Sequence, residues 1–355
     1  MDFFNLPIHA WYALFKRDLP WRNNRDPYSV WLSEIILQQT RIDQGLAYYL
    51  KFMDEFPTIS DLANASEDHI LKLWQGLGYY SRARNLHCTA KYIHGNFNGK
   101  FPGDYQTILS LKGIGEYTAA AIASISFNLE YPAVDGNVYR VLSRFFGISE
   151  PIDTAEGKTA FKKLAHKLIS GTDPGMHNQA LMEFGALQCI PKNPNCQNCP
   201  LKNNCFAFSA KKINELPVKQ NKTKQRDRYF NYLVLNCNNH FWIQKRTGND
   251  IWKNLFEFPL IETKEEISIQ SLSELKEFQD IVPKDFSVIQ NVSSWKIHIL
   301  SHQRIHYRVI QIRLNKEINF SSHLIRVNKQ DIFNFAVPKL LENYMNEPEH
   351  NGLFI

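Results

Sequence analysis

Leu111-Lys112-Gly113-Ile114-Gly115 runs into Glu116-Tyr117-Thr118-Ala119-Ala120-Ala121-Ile122, and this stretch decides the fold of the first half of the chain. The residues before it (104–111) and those after Gly115 (116–127) both read as helix. Gly113 and Gly115 let the backbone turn tightly between them and approach a ligand closely. The second helix then presents unpaired N–H groups and the positive end of its dipole, which suits a phosphate. The pattern is a helix-hairpin-helix. An ordinary helical corner, with glycines placed for packing, is the alternative.

Outward from the hairpin, helical patterns recur at 45–56, 66–75, 81–94, 136–146, 157–170 and 177–188, with breaks at Pro57, Gly76, Pro102 and Pro132. Asp26-Pro27 offers an N-cap and a proline at the first helical position, and Tyr28 to Arg41 follows without a breaker. After residue 228 the texture changes. RYFNYLVLNCNNHFWIQKR reads as two strands about an Asn-Asn turn. Ile305 to Leu314 alternates as a half-buried strand does, and 264–281 can hold a helix. The expected fold is therefore multidomain: an all-α part followed by a small α+β part.

At 355 residues and roughly 150 residues per domain, two or three domains are expected. No apolar run approaches the roughly 18 residues of a membrane span. MDFFNLPIHAWYALF has no basic leader, so no signal peptide and a cytoplasmic, bacterial-type location are expected. The net charge of +6 is concentrated. Residues 211–228 carry 7 Lys/Arg against 2 Asp/Glu, whereas 1–210 carry 20 against 19 and 229–355 carry 14 against 14. The stretch KKINELPVKQNKTKQRDR reads as a linker, either a solvated charge run or a strap for a polyanion.

Three features point to chemistry. Cys189, Cys196, Cys199 and Cys205 fall within 17 residues, spaced C-x6-C-x2-C-x5-C. In a reducing compartment such a cluster favours metal over disulfides. The single C-x2-C pair, with no intervening histidine, favours a four-iron cluster over zinc. Lys192 and Lys202 in the same loop suit a phosphate backbone. Glu34 lies in a very apolar helix, flanked by Val30, Trp31 and Leu37, where desolvation raises a carboxyl pKa and suits a general acid. A surface position or a salt bridge to Arg41 is the alternative. Asp135, before Gly136-Asn137-Val138, reads as a helix N-cap that can also face a substrate cation.

Together these motifs resemble the adenine DNA glycosylases of the MutY type, within the helix-hairpin-helix glycosylase superfamily. The resemblance rests on PWR at 20–22, WLSEIILQQTR at 31–41, WQGLGYYSRARNL at 74–86, LKGIGEYTAAAI, VDGNVYRVLSR at 134–144, NQALMEFGALQC at 178–189 and the cysteine loop. It implies a six-helix domain over 25–128, an iron-sulfur helical domain from 1–24 and 129–210, the linker 211–228 and a Nudix-like domain over 229–355. It implies one [4Fe-4S] cluster on Cys189, Cys196, Cys199 and Cys205. Glu34 would protonate adenine and Asp135 would stabilise the oxocarbenium-like sugar, with Tyr117 and Asn137 beside them. Trp21, Arg22 and Gln179 would line the adenine pocket. Gln39 and Tyr79 would fill the duplex where the base is extruded, and Leu37, Thr40, Arg82, Gly113 and Gly115 would contact DNA. Bifunctional relatives carry a lysine where Tyr117 stands, and a phenol forms no imine, so strong strand cleavage is not expected.

WKNLFEFPLIE at 252–262 matches the Nudix-like domain of these enzymes, but Asn254 stands where the first glutamate of an active Nudix hydrolase falls. The domain is therefore expected to read the base opposite adenine. The family's Phe-Ser-His motif is Leu300-Ser301-His302 here, keeping the polar pair. The expected partner is duplex DNA with adenine opposite 8-oxoguanine or guanine, bound by a monomer. An endonuclease-III-like enzyme on oxidised pyrimidines and a non-catalytic iron-sulfur DNA-binding protein are the alternatives. Tyr117 and the second domain oppose the first, and the two carboxylates oppose the second.

Overall fold

The computed structural model describes residues 2–221, 225–318, 320 and 323–354. Residues 222–224 of the basic linker lie outside the described residues. The chain forms two compact units, Met1–Asn64 with Asn85–Asn221, and Ala65–Arg84 with Lys222–Ile355. The first is helical and the second is built on a mixed sheet. No helix among the described residues is long and apolar enough to cross a membrane.

In the first unit, the opening helix Asp2–Phe15 buries Phe4, Ile8, Trp11 and Tyr12, one side of its surface. These residues share a core with Val138 and Leu142, Phe161 and Leu168, and Leu181 and Phe184. Those pairs come from helices Gly136–Phe146, Ala155–Ile169 and Pro174–Leu187. Helix Pro27–Leu37 starts as expected, with Asp26 accepting from the Ser29 N–H at 2.8 Å. It ends four residues sooner than its unbroken sequence suggests. Gln38 leaves helical geometry and Gln39 takes a left-handed φ of 57°, a conformation that no local propensity of glutamine favours.

The hairpin forms where expected. Asp104 caps helix Tyr105–Ser110, and the chain turns through Gly113 at φ 81°. A Cβ there would lie 2.6 Å from that of Asn85, so both the backbone angle and the space demand glycine. Gly115 then starts helix Glu116–Phe127. Residues Thr118 to Ile125 of that helix are buried, consistent with its apolar character on every side.

The four cysteines follow Pro174–Leu187. The expectation of a four-iron cluster on Cys189, Cys196, Cys199 and Cys205 is corrected. Among the described residues the one group of three or more His, Cys, Asp or Glu side chains with ligand atoms mutually within 4.8 Å is Glu347, Glu349 and His350. The four sulfurs form no such group. Closeness in sequence does not bring them into one close set of ligand atoms. Cys189, Cys199 and Cys205 pack instead against the helical core. Burial raises the thiols of Cys196 and Cys205, and that of Cys199 to about 11, which favours the neutral form. The segment is anchored by Arg144, 2 % exposed, which donates to the carbonyls of Ile190 (2.8 Å), Pro191 (2.9 Å) and Leu216 (3.1 Å).

The second unit carries strands β1 (Arg226–Cys237), β2 (His240–Lys245), β3 (Phe256–Glu257), β4 (Leu260–Thr263), β5 (Ser287–Val292), β6 (Lys296–Ile299), β7 (Gln303–Leu314) and β8 (Leu324–Asn328). The order is β3-β2-β1-β7-β5, with β4 on β1, β6 on β7 and β8 on β2. Asn238 and Asn239 both take positive φ, 45° and 63°, giving the tight turn expected between β1 and β2. β1 and β7 pair in parallel, Asn231 opposite Arg308, and every other pair is antiparallel. Leu233, Leu235, Ile310 and Ile312 form a core with Leu272 and Phe278 of two short helices, Ile269–Glu274 and Lys276–Ile281, where one was expected. The segment 65–84 joins this unit through Lys245 to Asp68 (2.6 Å), Arg84 to the Lys253 carbonyl (2.8 Å) and Asn254 to Glu67.

Replacing Arg144 with methionine removes the donor from three carbonyls, one buried and two part-buried, each worth about 1–3 kcal/mol when buried and unpaired. We expect a loss of at least about 3 kcal/mol in urea unfolding, with faster amide exchange across 190–216 than elsewhere.

Candidate active site

A cavity of about 880 Å³ opens in the helical unit, lined among others by Glu34, Tyr117, Asp135, Asn137, Trp21, Arg22 and Gln179. Five different helical segments supply these residues. Leu37, Gln39 and Thr40 line it too, so the early end of helix Pro27–Leu37 brings its last turn to the cavity.

Glu34 points into this space while Trp31, Ile35 and Ile36 of the same helix are buried in the core. Its pKa is raised to about 7, chiefly by burial. The Tyr117 hydrogen bond and Arg22 oppose that rise, and the charge of Asp135 adds to it. Arg41, the alternative partner, does not figure among these influences. The Tyr117 hydroxyl also reaches Met182 Sδ at 3.2 Å, and burial puts its own pKa well above the ordinary tyrosine value. It is a neutral phenol.

Asp135 is the helix N-cap that its sequence suggests. It caps helix Gly136–Phe146, with Oδ1 accepting from the N–H groups of Asn137 (2.9 Å) and Val138 (2.8 Å), and it faces the cavity. Oδ2 accepts from Asn137 Nδ2 at 2.7 Å. Burial raises its pKa, and these donors oppose the rise. Arg140 orients the Asn137 amide by donating to its Oδ1 (2.8 Å), and it is itself fixed on the carbonyls of Gly185 (2.6 Å) and Cys189 (2.7 Å). Two carboxyl groups thus share one cavity in different settings: Asp135 has three donors and a helix N-terminus, Glu34 has one phenol.

Trp21 is buried edge-on against Tyr49, ring centres 5.0 Å apart. Arg22 is clamped on Glu183 (3.0 and 2.8 Å), and Arg17 holds the same carboxylate (2.9 and 2.6 Å). Burial would raise the Glu183 pKa, but the two guanidiniums overcome it and hold the group at about 2. Gln179 accepts from the Tyr12 hydroxyl at 2.9 Å. Arg17, Arg140, Met182 and Glu183 were not singled out in the sequence. The spacing of Gln179 and Glu183, one helical turn apart in NQALMEFGALQC, is the signal that could have found Glu183.

The remaining expected residues lie elsewhere. Gly113 and Gly115 stand at the hairpin. In the second unit, Ser301 and His302 are exposed at the tip between β6 and β7, where Leu300 N–H donates to the Gln303 carbonyl (2.8 Å). Tyr79, 42 % exposed with φ 47°, is hydrogen-bonded to the Ser301 hydroxyl. Arg82 turns inward instead of toward solvent. It lies 5.2 Å from the Trp74 ring centre and donates to the Leu77 (3.2 Å) and Gly78 (3.3 Å) carbonyls, so it shapes the loop that carries Tyr79. Glu347, one member of the Glu347, Glu349, His350 group, is already paired with Lys296 at 2.6 Å.

Residues 32–167 match the family described as HhH-GPD superfamily base excision DNA repair protein, and residues 231–347 match a NUDIX domain. The adenine DNA glycosylase of Buchnera aphidicola subsp. Acyrthosiphon pisum is 37% identical over 354 residues, 99% of this chain and 94% of that protein. That of Buchnera aphidicola subsp. Baizongia pistaciae is 38% identical over 341 residues, 94% and 92% of the respective chains. The solved structure of a thermostable thymine-DNA glycosylase aligns at 30% identity with a TM-score of 0.55, over 58% of this chain and 95% of that one. With such identity along nearly its whole length, the chain belongs to the adenine DNA glycosylase family, enzymes that hydrolyse a glycosidic bond.

Proposed function

We propose that this protein excises adenine paired with 8-oxoguanine, or with guanine, from duplex DNA. The single observation that carries the mechanism is the pair Glu34 and Asp135, two carboxyl groups in one cavity with unequal hydrogen bonding. A carboxyl with a pKa of about 7 is substantially protonated at neutral pH and can donate to a ring nitrogen of the base. That proton turns adenine into a better leaving group. Positive charge then develops on the sugar, and Asp135, whose anion is favoured by its three donors, stabilises it before water attacks. This is the division of labour of glycoside hydrolysis. Tyr117, a neutral phenol, supports Glu34 and offers no amine for strand cleavage. Trp21, Arg22 and Gln179 bound the base.

The DNA contacts belong to the same proposal. Gly113 and Gly115 bring the hairpin backbone and the first-turn N–H groups of helix Glu116–Phe127 to a phosphate. Gln39 and Tyr79, both held at positive φ, fill the space left by the extruded base. Ser301 and His302 supply the donors and acceptors that read the opposite base, and the bond between Tyr79 and Ser301 supports a joint role. Single-turnover excision on duplexes carrying adenine opposite 8-oxoguanine, adenine opposite guanine, or thymine glycol tests the reading. Release of only the oxidised pyrimidine would refute it.

Glu34→Gln keeps shape and removes the proton. We expect duplex binding within a few-fold of the parent and excision lower by at least the roughly 10²–10⁴-fold of general acid catalysis. In the parent enzyme, the rate should fall as pH rises through about 7, the point at which Glu34 loses its proton. The sign for stability is the same. Because the folded pKa lies above the usual 4.5, the folded state binds more protons, so Glu34 destabilises increasingly as pH rises from about 4.5 through 7. The Gln variant should match the parent near pH 4 and exceed it at pH 8 by on the order of 3 kcal/mol.

Arg140→Gln frees the Asn137 amide to rotate away from Asp135. We expect kcat to fall about 10²-fold with KM for duplex little changed. Ser301→Ala/His302→Ala should leave excision intact and narrow the affinity ratio between 8-oxoguanine and guanine, each lost contact being worth about 1–3 kcal/mol. Binding to a non-cleavable adenine analogue at fixed salt measures it.

A further inference from the structure

A second cleft opens in the helical unit on the far side of Tyr117. Tyr117 is the one residue that lines both it and the catalytic cavity. Its volume is about 290 Å³, at the lower edge of the roughly 300–1,000 Å³ found for small-molecule sites. That is room for one nucleotide and not for two.

Its wall is aromatic. Tyr105 and Tyr131 stack with ring centres 3.8 Å apart and planes within 4°. Tyr139 is held edge-on by Phe161, ring centres 5.0 Å apart, and completes the wall. Rings fixed in this way lose little freedom when a planar ligand stacks on them. Its rim is cationic. Helix Ala155–Ile169 places Lys158 and Lys162 one turn apart, and both line the cleft. Lys162 lies 3.2 Å from Glu116, but both side chains are at least half exposed, so that pairing is weak and exchangeable. No acidic partner holds Lys158 among the described ion pairs.

We propose that this cleft is a binding site for a single nucleotide unit, its base against the tyrosine wall and its phosphate on Lys158 and Lys162. Lysines alone would be a solvated helix face, and tyrosines alone would suit any flat apolar group. Their convergence on one small cleft selects a ligand with a ring at one end and an anion at the other. Two sources offer that chemistry, a free nucleoside monophosphate and an unpaired nucleotide of a DNA strand. Of its lining residues only Tyr117 belongs to the catalytic cavity, and Glu116 and Tyr117 belong to the helix turn assigned above to a DNA phosphate.

The test is equilibrium dialysis of the full chain with labelled adenosine 5′-monophosphate. We expect one saturable site in the millimolar range or tighter. Removing the phosphate (adenosine as probe), Lys158→Ala/Lys162→Ala, or Tyr131→Leu should each weaken it about tenfold, the loss of one strong contact. Both lysines are exposed, so that double variant should fold normally, and its single-turnover excision should equal the parent's. Glu34→Gln should leave the binding unchanged. Displacement by a duplex with one overhanging nucleotide, but not by its blunt counterpart, assigns the site to a DNA strand. Failure of both duplexes to displace assigns it to a free nucleotide. Absence of saturable binding, equal affinity in the lysine variant, or loss of binding in Glu34→Gln overturns the proposal.

Discussion

The desolvation of Glu34 is the constraint on which the rest of the site depends. A lone carboxyl responds to burial by holding its proton, and here the Tyr117 hydrogen bond and the Arg22 charge offset that burial only in part. Asp135 is buried as well, but it sits at a helix N-terminus with three donors on its oxygens. The same chemical group is thereby set toward a donor at one position and toward an anion at the other. Neither setting is a property of the residue. Each follows from which backbone N–H groups and hydroxyls the fold brings near.

The walls of the cavity serve that arrangement. Helix Pro174–Leu187 sends Gln179, Met182 and Glu183 inward on one side, and Glu183 fixes Arg17 and Arg22 as a clamp. An ion pair with so little exposure contributes order more surely than stability: it holds the Arg22 guanidinium, and with it the neighbouring Trp21, in a single position. Arg140 does the same for Asn137 from behind, using backbone carbonyls that move only if the helical core moves. Arg144, one turn on, anchors the cysteine segment through three carbonyls. That segment is held by this arginine and by core packing.

In the second unit Asp250, Glu257 and Glu262 are held by two arginines. Arg246 binds Glu257 at 2.7 Å and Asp250 at 3.1 Å, and Arg228 binds Glu262 at 2.6 Å and Asp250 at 2.7 Å. The short turn from β6 to β7 is exposed, with Ser301 and His302 at its tip. A turn set by paired strands holds its end residues more firmly than a free loop would.

The sequence by itself determined the elements whose causes are local. Asp26-Pro27 starts a helix, the paired glycines make the hairpin, Asn238-Asn239 turns β1 into β2, and an apolar helix around Glu34 implies a raised pKa. Each depends on residues within a few positions of one another. Tertiary structure decided what depends on distant partners. Helix Pro27–Leu37 stops early and Gln39 turns left-handed although the sequence has no breaker there. β1 pairs in parallel with β7, 77 residues away in the register, a match that strand alternation alone does not specify. Arg82 turns onto its own loop, and residues 65–84 join the second unit through side-chain bonds that have no sequence signature. The cysteines show the limit most plainly. Their spacing is a local pattern, but whether four sulfurs converge is set by the path of the backbone between them, and that path is fixed by Arg144 and the helical core.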